Sequence, residues 1–302
     1  MRQLLCLLLA CHTLRPAPVY GDEQKQPSVT LAMILRNEED NLVANLPKWR
    51  ALGMVDAVVC GIDDRTTDRT AFTIVAELPD TPHWIFYYRF SGFGAARSRV
   101  LREAWLKFPH VSHLLIADPD WEPGDVPKIK KSDLDFFHDA FTFTIFDRNS
   151  HTTRRSQWLV RHRPNISFAY RLHEQLTLPL SPGTARVKDL DWQVHEVEVK
   201  GRKSWHSTLN HGHTQSYKRY LFDLELLRQD EEEFADDPHV LYYLASTSFA
   251  ALEALTGRGQ HEITPEMTAL IDDGIDAYKR RLAPHHLANP MTHKEQTWAS
   301  AR

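Results

Sequence analysis

The chain has 302 residues, 42% hydrophobic and 25% charged, which is enough for a sizeable core in one α/β domain with an appendage or in two domains. Its formal net charge is −4 with histidine neutral, so no basic excess indicates nucleic acid as the main partner. The 17 histidines are scattered and have no zinc-ligand spacing.

The first residues have the pattern of a secretory signal peptide. Met1-Arg2-Gln3 precedes an apolar run from Leu4 to Cys11, and prolines follow it. The run is too short to span a bilayer, and no later segment is long and apolar enough to do so. We expect residues 1–21 to be removed, leaving Cys60 as the one cysteine of a protein in the secretory pathway (ER or Golgi lumen) or outside the cell. The alternative is a frayed terminus on a cytoplasmic protein.

From Val29 onward, continuous apolar runs alternate with segments of helical spacing. Such runs are typical of strands that are buried on both faces. In chain order the pattern predicts a strand at Val29–Leu35, a helix at Glu38–Leu52, a strand at Ala57–Ile62, a helix from about Thr67 to Glu77, a strand at Trp84–Tyr88, a helix at Ala95–Phe108 and a strand at His113–Ala117. Pro47 predicts a kink or a short second helix. The alternation predicts an α/β fold with a mainly parallel sheet flanked by helices.

After Trp121 the pattern changes to strands with looser connections and then to helices. The strands are expected at Ala140–Phe146, Gln157–Val160, Phe168–Leu172 and Trp192–Val199. Helices are expected at Gln215–Asp230, Pro238–Leu255 and Pro265–Leu282, the last two as a hairpin. We therefore expect one domain over residues 28–213 and a helical extension over residues 214–302. Because one hairpin cannot form a free-standing solenoid, the extension should lean on the domain before it.

The most informative motif is Asp118-Pro119-Asp120, directly after the apolar run that ends at Ala117. At roughly 6 Å and an effective dielectric near 20, two such charges repel by about 3 kcal/mol. A cation between them removes that cost, and oxygen ligands suit Mg²⁺ or Mn²⁺. The alternative is a polar turn, since Asp-Pro is common in turns.

Three further polar clusters accompany this pair. Arg36-Asn37-Glu38-Glu39 follows the first strand, and the run from Asp63 to Thr70 follows the second. Phe93-Gly94-Ala95-Ala96-Arg97 opens the helix before the fourth strand. In open parallel sheets, ligands bind beyond the carboxyl ends of strands, so these clusters are expected to share one site. Asp68 is better explained as a helix cap.

These segments resemble the nucleotide-sugar-dependent glycosyltransferases of the family 2 type, which have the Rossmann-like GT-A fold. The family pattern is a strand followed by (K/R)-N-E-E, a second strand followed by D-x-x-S-T-D-x-T, then A-A-R, then a strand ending in D-A-D. Arg161 to Leu176 is similar to the family segment with a G-x-(I/V)-H-E-x-(I/L) core. Lys218 to Ala245 resembles the tetratricopeptide-like helical tail of one subgroup. The match covers residues 29–283, and it departs from the family at Pro119.

The resemblance implies a role for each residue of the donor site. Arg36, Asn37 and Glu38 would line the nucleotide pocket, and Asp63 would contact a uracil-type ring or the ribose. Arg97 would contact diphosphate. Asp118 would orient the ribose or the waters of a metal ion, and Asp120 would bind the metal directly. Alternatives remain for three of them. Asp63 also fits a turn aspartate, Arg97 a surface salt bridge, and Glu38 a residue that stabilises a helix start.

The same resemblance places the acceptor side at His173-Glu174. An inverting transfer needs a base for the proton of the acceptor hydroxyl, and Glu174 is our candidate, with a salt-bridged strand glutamate as the alternative. Asn210-His211-Gly212-His213 stands where the family tends to show H-Y-G-Y. The family histidine aligns with Asn210, so His213 or His211 is the candidate that completes the metal site, and a polar loop histidine is the alternative.

The sequence therefore predicts an Mn²⁺- or Mg²⁺-dependent hexosyltransferase. It would move a sugar from a UDP- or GDP-linked donor to a hydroxyl of a glycan, lipid or protein, with inversion at the anomeric carbon. One alternative is an inactive nucleotide-sugar binder or scaffold. The other is a metal-dependent phosphohydrolase or nucleotidyltransferase, although the absence of a G-x-x-x-x-G-K-[ST] loop argues against a P-loop enzyme.

Overall fold

The computed structural model describes residues 26–124, 128–148, 150–181, 183–197, 215–256 and 263–283. The predicted signal peptide, residues 1–21, and the segment with His211 and His213 lie outside these ranges. Across the described residues, none of the helices has the length and apolar character that a bilayer crossing requires.

The first half of the chain alternates strands and helices as the sequence predicts. The elements are β1 (Val29–Leu35), α1 (Glu39–Ala51), β2 (Ala57–Asp63), α2 (Thr70–Glu77), β3 (His83–Tyr88), α3 (Phe93–Lys107) and β4 (His113–Ile116). Pro47 lies inside the single helix α1, so no second helix forms there. Asp68 acts as predicted, because its carboxylate accepts hydrogen bonds from the backbone amides of Thr70 (2.9 Å) and Glu39 (3.0 Å) at two helix starts.

The second half adds short strands and then three helices. They are β5 (Trp121–Pro123), β6 (Ala140–Asp147), β7 (Thr152–Arg161), β8 (Ser167–Ala169), β9 (Gln175–Thr177), β10 (Val187–Glu196), α4 (Gln215–Glu233), α5 (Pro238–Thr256) and α6 (Pro265–Arg281). The predicted strand Phe168–Leu172 is wrong after Ala169, because Tyr170 has a left-handed φ of 65°. Of the predicted strand Trp192–Val199, β10 covers the residues up to Glu196.

One eight-stranded sheet carries the fold, in the order β3-β2-β1-β4-β7-β6-β10-β5. β1 to β4 are mutually parallel where they pair, whereas β7 runs antiparallel to both of its neighbours. Leu31 and Met33 of β1 pack in the core that includes α1, and Ala32 packs in the core that includes α3. This alternation confirms the predicted α/β architecture, with apolar strands covered by helices on both faces.

The helical extension packs on the sheet domain through its own core. Leu224 and Leu227 of α4, Leu241 of α5 and Leu270 of α6 are buried together with Leu172 of the preceding domain. The contact between extension and domain agrees with the expectation from the sequence. The domain boundary at residues 213 and 214 and the tetratricopeptide-like subgroup stay predictions.

A buried histidine at the start of β4 makes stability depend on pH. His113 is fully buried; its Nε2 donates to the Asp135 carbonyl (3.0 Å) and its Nδ1 accepts from the Ser112 hydroxyl (2.8 Å). Burial lowers the pKa of His113 from 6.5 to about 4. As pH falls through this window, the unfolded chain takes up a proton that the folded chain does not. We expect the free energy of unfolding to fall by up to roughly 3 kcal/mol from this group.

Urea unfolding at several pH values between 6.5 and 4 tests this expectation. The variant His113→Gln should show a shallower loss of stability over the same window than the wild type. Equal pH dependence in the two proteins would contradict it.

Candidate functional site

Most of the predicted site residues line one cleft at the carboxyl ends of β1, β2 and β4, although Asn37 and Glu174 do not. The cleft has a volume of about 410 Å³. Its lining includes Arg36, Glu38, Asp63, Arg97, Asp118 and Asp120. Thus both carboxylates of the Asp118-Pro119-Asp120 motif face the same cleft as the clusters after β1 and β2 and the start of α3.

Helix α1 fixes the turn that carries the two aspartates. The side-chain amide of the buried Asn45 donates to the carbonyl of Pro119 (2.9 Å). The indole of Trp49 donates to the carbonyl of Trp121 (3.0 Å), where β5 begins. Both bonds bridge more than 70 residues of sequence, so they set the turn's position relative to α1 rather than its local shape.

Arg97 is the centre of the site. Its side chain is 6% exposed; Nη2 donates to Asp118 Oδ1 (2.7 Å), and Nε donates to Glu174 Oε1 (2.6 Å). The guanidinium carbon lies 4.3 Å from the ring centroid of Trp158. Burial lowers the pKa of Arg97, but Asp118 and Glu174 raise it above its ordinary value, so the group stays charged. Its third nitrogen, Nη1, is buried and has no hydrogen-bond partner among the described residues.

Asp63 lies at the end of β2 and is paired with arginine. Its carboxylate accepts from Nε and Nη2 of Arg65 (2.9 and 2.6 Å), and Nε of Arg36 is 4.0 Å away. Burial raises the pKa of Asp63, but the hydrogen bonds from Arg65 and the charge of Arg36 outweigh burial and hold the pKa below its ordinary value. The sequence predicted no site role for Arg65, whereas in the structure it is the main partner of Asp63.

Asn37 and Glu38 differ in where they lie. Asn37 has a left-handed φ of 54°, and its Oδ1 accepts from the backbone amide of Thr67 (2.8 Å). It joins the loops after β1 and β2 and is not part of the cleft lining. Glu38 does line the cleft; it is buried, and its carboxylate accepts from the side-chain amide of Asn41 (2.6 Å).

The acidic pair has the chemistry of a divalent-cation site with few protein ligands. The Asp118 side chain is 31% exposed, with one oxygen engaged by Arg97. Asp120 lines the cleft, and its backbone carbonyl accepts from the Val197 amide (2.9 Å). Within the described ranges, no three His, Cys, Asp or Glu side chains form a metal cluster. Two carboxylates fit a hard cation that takes its remaining ligands from phosphate and water. His213 lies outside the described residues.

Two glycines at the start of α3 allow close contact with the segment that carries Glu174. The Phe93 amide donates to the Arg171 carbonyl (2.6 Å) at the start of α3. A Cβ on Gly94 would lie 2.0 Å from the Tyr170 carbonyl oxygen, and one on Gly92 would lie 2.7 Å from the Arg171 Cβ. Only glycine allows this approach, so the start of α3 and the segment from Tyr170 to Glu174 fit against each other without a gap.

Helices α4 and α5 hold the same segment from the other side. The fully buried Asp230 accepts from the Arg171 amide (2.8 and 3.0 Å) and from Arg171 Nη1 (2.8 Å). His239 bonds the His173 carbonyl (2.9 Å), and the ring of Tyr243 stacks on that of His173 with centroids 3.7 Å apart. We call Asp230, His239 and Tyr243 the helical clamp.

The extension also reaches the cleft itself. Arg219 and Phe222 of α4 belong to the lining. The rings of Phe222 and Phe90 are 6.2 Å apart, and Phe90 packs edge-on against Phe93 at 5.0 Å. Sequence reasoning missed these two lining residues, because the amphipathic spacing of α4 does not say which domain the helix faces.

The fold and the site define an α/β protein with a ligand cleft at the carboxyl edge of its sheet, where a buried arginine joins carboxylates from two distant segments. No family model matches the chain, and no curated protein matches it. Among solved structures, S. aureus TarS 1-349 is similar with a TM-score of 0.48 and 12% identity, over 86% of this chain and 82% of that chain. HddC from Yersinia pseudotuberculosis is similar with a TM-score of 0.35 and 14% identity, over 55% of this chain and 90% of that chain. At these values neither match assigns a family.

Proposed function

We propose that this protein is a metal-dependent glycosyltransferase of the family 2 type. It moves a hexose from a UDP- or GDP-linked donor to a hydroxyl of a glycan, lipid or protein acceptor, with inversion. Residues 28–213 form its GT-A domain, and residues 214–302 form its tetratricopeptide-like extension. It acts in the secretory pathway or outside the cell once residues 1–21 are removed.

One observation carries the proposal: Arg97 joins Asp118 to Glu174 at the edge of the cleft and keeps one nitrogen without a partner. A buried guanidinium nitrogen that bonds nothing in the described chain costs free energy. Arg97 also lines the cleft, and guanidinium groups favour phosphate oxygens, so its charge would attract a diphosphate bound there. The two carboxylates that Arg97 orients are then the donor-side Asp118 and the candidate base Glu174.

The remaining residues supply charge and position. Asp120, with Asp118, would hold Mn²⁺ or Mg²⁺, and a cation there would offset the charge of the leaving nucleoside diphosphate. Arg36 and Asp63 contact the nucleotide. Glu174 accepts the proton of the acceptor hydroxyl, and its hydrogen bond from Arg97 fixes the position of its carboxylate.

A sugar-nucleotide screen tests the donor half of the proposal. With Mn²⁺ present, one UDP- or GDP-sugar should raise the unfolding temperature, since ligand at about one hundred times its dissociation constant stabilises by about 2.7 kcal/mol. The same donor should be hydrolysed slowly to free UDP or GDP. Asp120→Ala should abolish this release, whereas Asp272→Ala, an exposed aspartate of α6, should leave it unchanged.

Two outcomes would redirect the proposal. Donor binding without release of nucleotide, with or without acceptors, would favour a scaffold, and cleavage of nucleotides that carry no sugar would favour a phosphohydrolase. Glu174→Gln keeps an oxygen for Arg97 and should preserve donor binding while lowering transfer by about 10²- to 10⁴-fold. Undiminished transfer would remove Glu174 as the base.

A further inference from the structure

A second pocket, separate from the cleft, lies along the outer face of α3. It has a volume of about 440 Å³. Three of its lining residues are arginines, Arg89, Arg99 and Arg102, and none is acidic. The other wall is formed at Ile166 and Ser167. We refer to it as the arginine pocket.

The three arginines are exposed and have no acidic partner in the described parts of the chain. Arg99 and Arg102 are three residues apart on α3, so they face the same side and repel each other. The neighbouring Glu103 forms no ion pair with them among the described residues, and one of its carboxylate oxygens accepts from the indole of Trp84 (3.2 Å). Within the described ranges, the one side-chain contact that holds any of the three is aromatic: the Arg99 guanidinium carbon lies 5.1 Å from the ring centroid of Phe86.

A hydrogen bond joins the two walls of the arginine pocket, α3 and β8, so the backbone that carries Arg99 and Arg102 is held in place. The backbone amide of Phe168 donates to the Ser98 hydroxyl (2.8 Å), which joins α3 to β8. Ser98 and Ser167 add hydroxyl groups to the lining. A fixed concave surface with guanidinium and hydroxyl donors is suited to oxyanions.

We propose that the arginine pocket binds a small organic polyanion, a ligand with two or more phosphate, sulfate or carboxylate groups. Guanidinium forks pair with each of these groups in two-point contacts. The concentration of positive charge in one pocket, on a chain whose formal net charge is −4, favours a compact ligand over the extended phosphate track of a nucleic acid. Tyr88 lines both the arginine pocket and the cleft, so ligands in the two sites lie next to each other.

Calorimetric titration of the full chain at low salt tests this proposal. The probes are a sulfated disaccharide, a sugar bisphosphate and a digalacturonate, with uncharged maltose as the reference. At least one acidic probe should bind, and maltose should not. The acidic probe with the highest affinity will show whether the pocket prefers sulfate, phosphate or carboxylate groups. The double variant Arg99→Gln/Arg102→Gln should weaken that binding at least tenfold. The matched control Arg50→Gln/Lys279→Gln removes the same charge from other helices and should weaken it less than twofold.

The outcomes separate this proposal from the glycosyltransferase proposal, because no donor is present in the titration. Equal affinities in the wild type and the α3 double variant, or no binding of any acidic probe to the wild type, would overturn it. Equal losses in the two double variants would also overturn it, since they would reduce the effect to net charge. If sugar nucleotides are not turned over but the probe still depends on Arg99 and Arg102, the glycosyltransferase proposal fails and the arginine pocket stands.

Discussion

Replacing Arg97 by methionine is expected to lower the free energy of unfolding by about 3 kcal/mol and to abolish transfer. The substitution removes the cation between Asp118 and Glu174, whose side chains are 31% and 10% exposed, and leaves both carboxylates without the partner that offsets their burial. It also removes the guanidinium from the face of Trp158. Urea unfolding measures the stability, and release of nucleotide with and without acceptor measures the activity.

Two further variants make the Arg97 result specific. Arg97→Lys keeps a charge but has all its donors on one nitrogen, so it cannot reproduce the separate positions of Nε and Nη2 and should recover more stability than transfer. Lys107→Met removes an exposed cation from the end of the same helix and should change stability by less than about 1 kcal/mol. If Arg97→Met and Lys107→Met behave alike, the buried bridge does not organise the site.

Replacing Asp230 by asparagine is expected to lower the transfer rate at least tenfold while donor affinity changes little. Asp230 accepts three hydrogen bonds from Arg171, and an asparagine would turn an amide group toward those donors. A buried unpaired donor costs about 1–3 kcal/mol, so the segment from Tyr170 to Glu174 would shift from its bonded position. Glu174 would move with it, whereas Asp63 and Asp118 are held by other elements.

The matched control for the helical clamp is Glu233→Gln. Glu233 bonds the same Arg171 Nη1 (2.8 Å), but its side chain is 54% exposed, so its loss should change the rate less than twofold. Steady-state kinetics with varied donor and acceptor separate a change in kcat from a change in donor KM. A matching loss in both variants, or a loss confined to donor KM, would contradict a positioning role for Asp230.

The sequence predicted the parallel half of the sheet and the cleft because both depend on local patterns. β1 is a continuous apolar run that is bounded by polar clusters, and strand ends gather such clusters at one edge. Arg97 was predicted to face the ligand, and the structure places it in the cleft lining with two carboxylate partners. β5 and β9, of three residues each, are too short to produce a periodic signal.

The parts that sequence reasoning missed depend on contacts between distant residues. The bond between Arg97 and Glu174 bridges 77 residues, and those from Arg171 to Asp230 bridge 59. Tyr170 and His173 have φ values of 65° and 53° without being glycine, so no residue type marks the turn that ends β8 early. For Asn37 the motif predicted a contact with ligand that the structure does not support. Its side chain instead joins the loops after β1 and β2.

The close fit at Gly94 restricts how the cleft can open and close. Since the start of α3 contacts Tyr170 and Arg171 closely and Arg97 bonds Glu174, we expect Arg97 and Glu174 to move together. We therefore expect the width of the cleft to change at its opposite rim, where the side chains of Arg36 and Arg65 are half exposed. Under the proposed function, we expect donor and product to pass at that rim while Glu174 keeps its position.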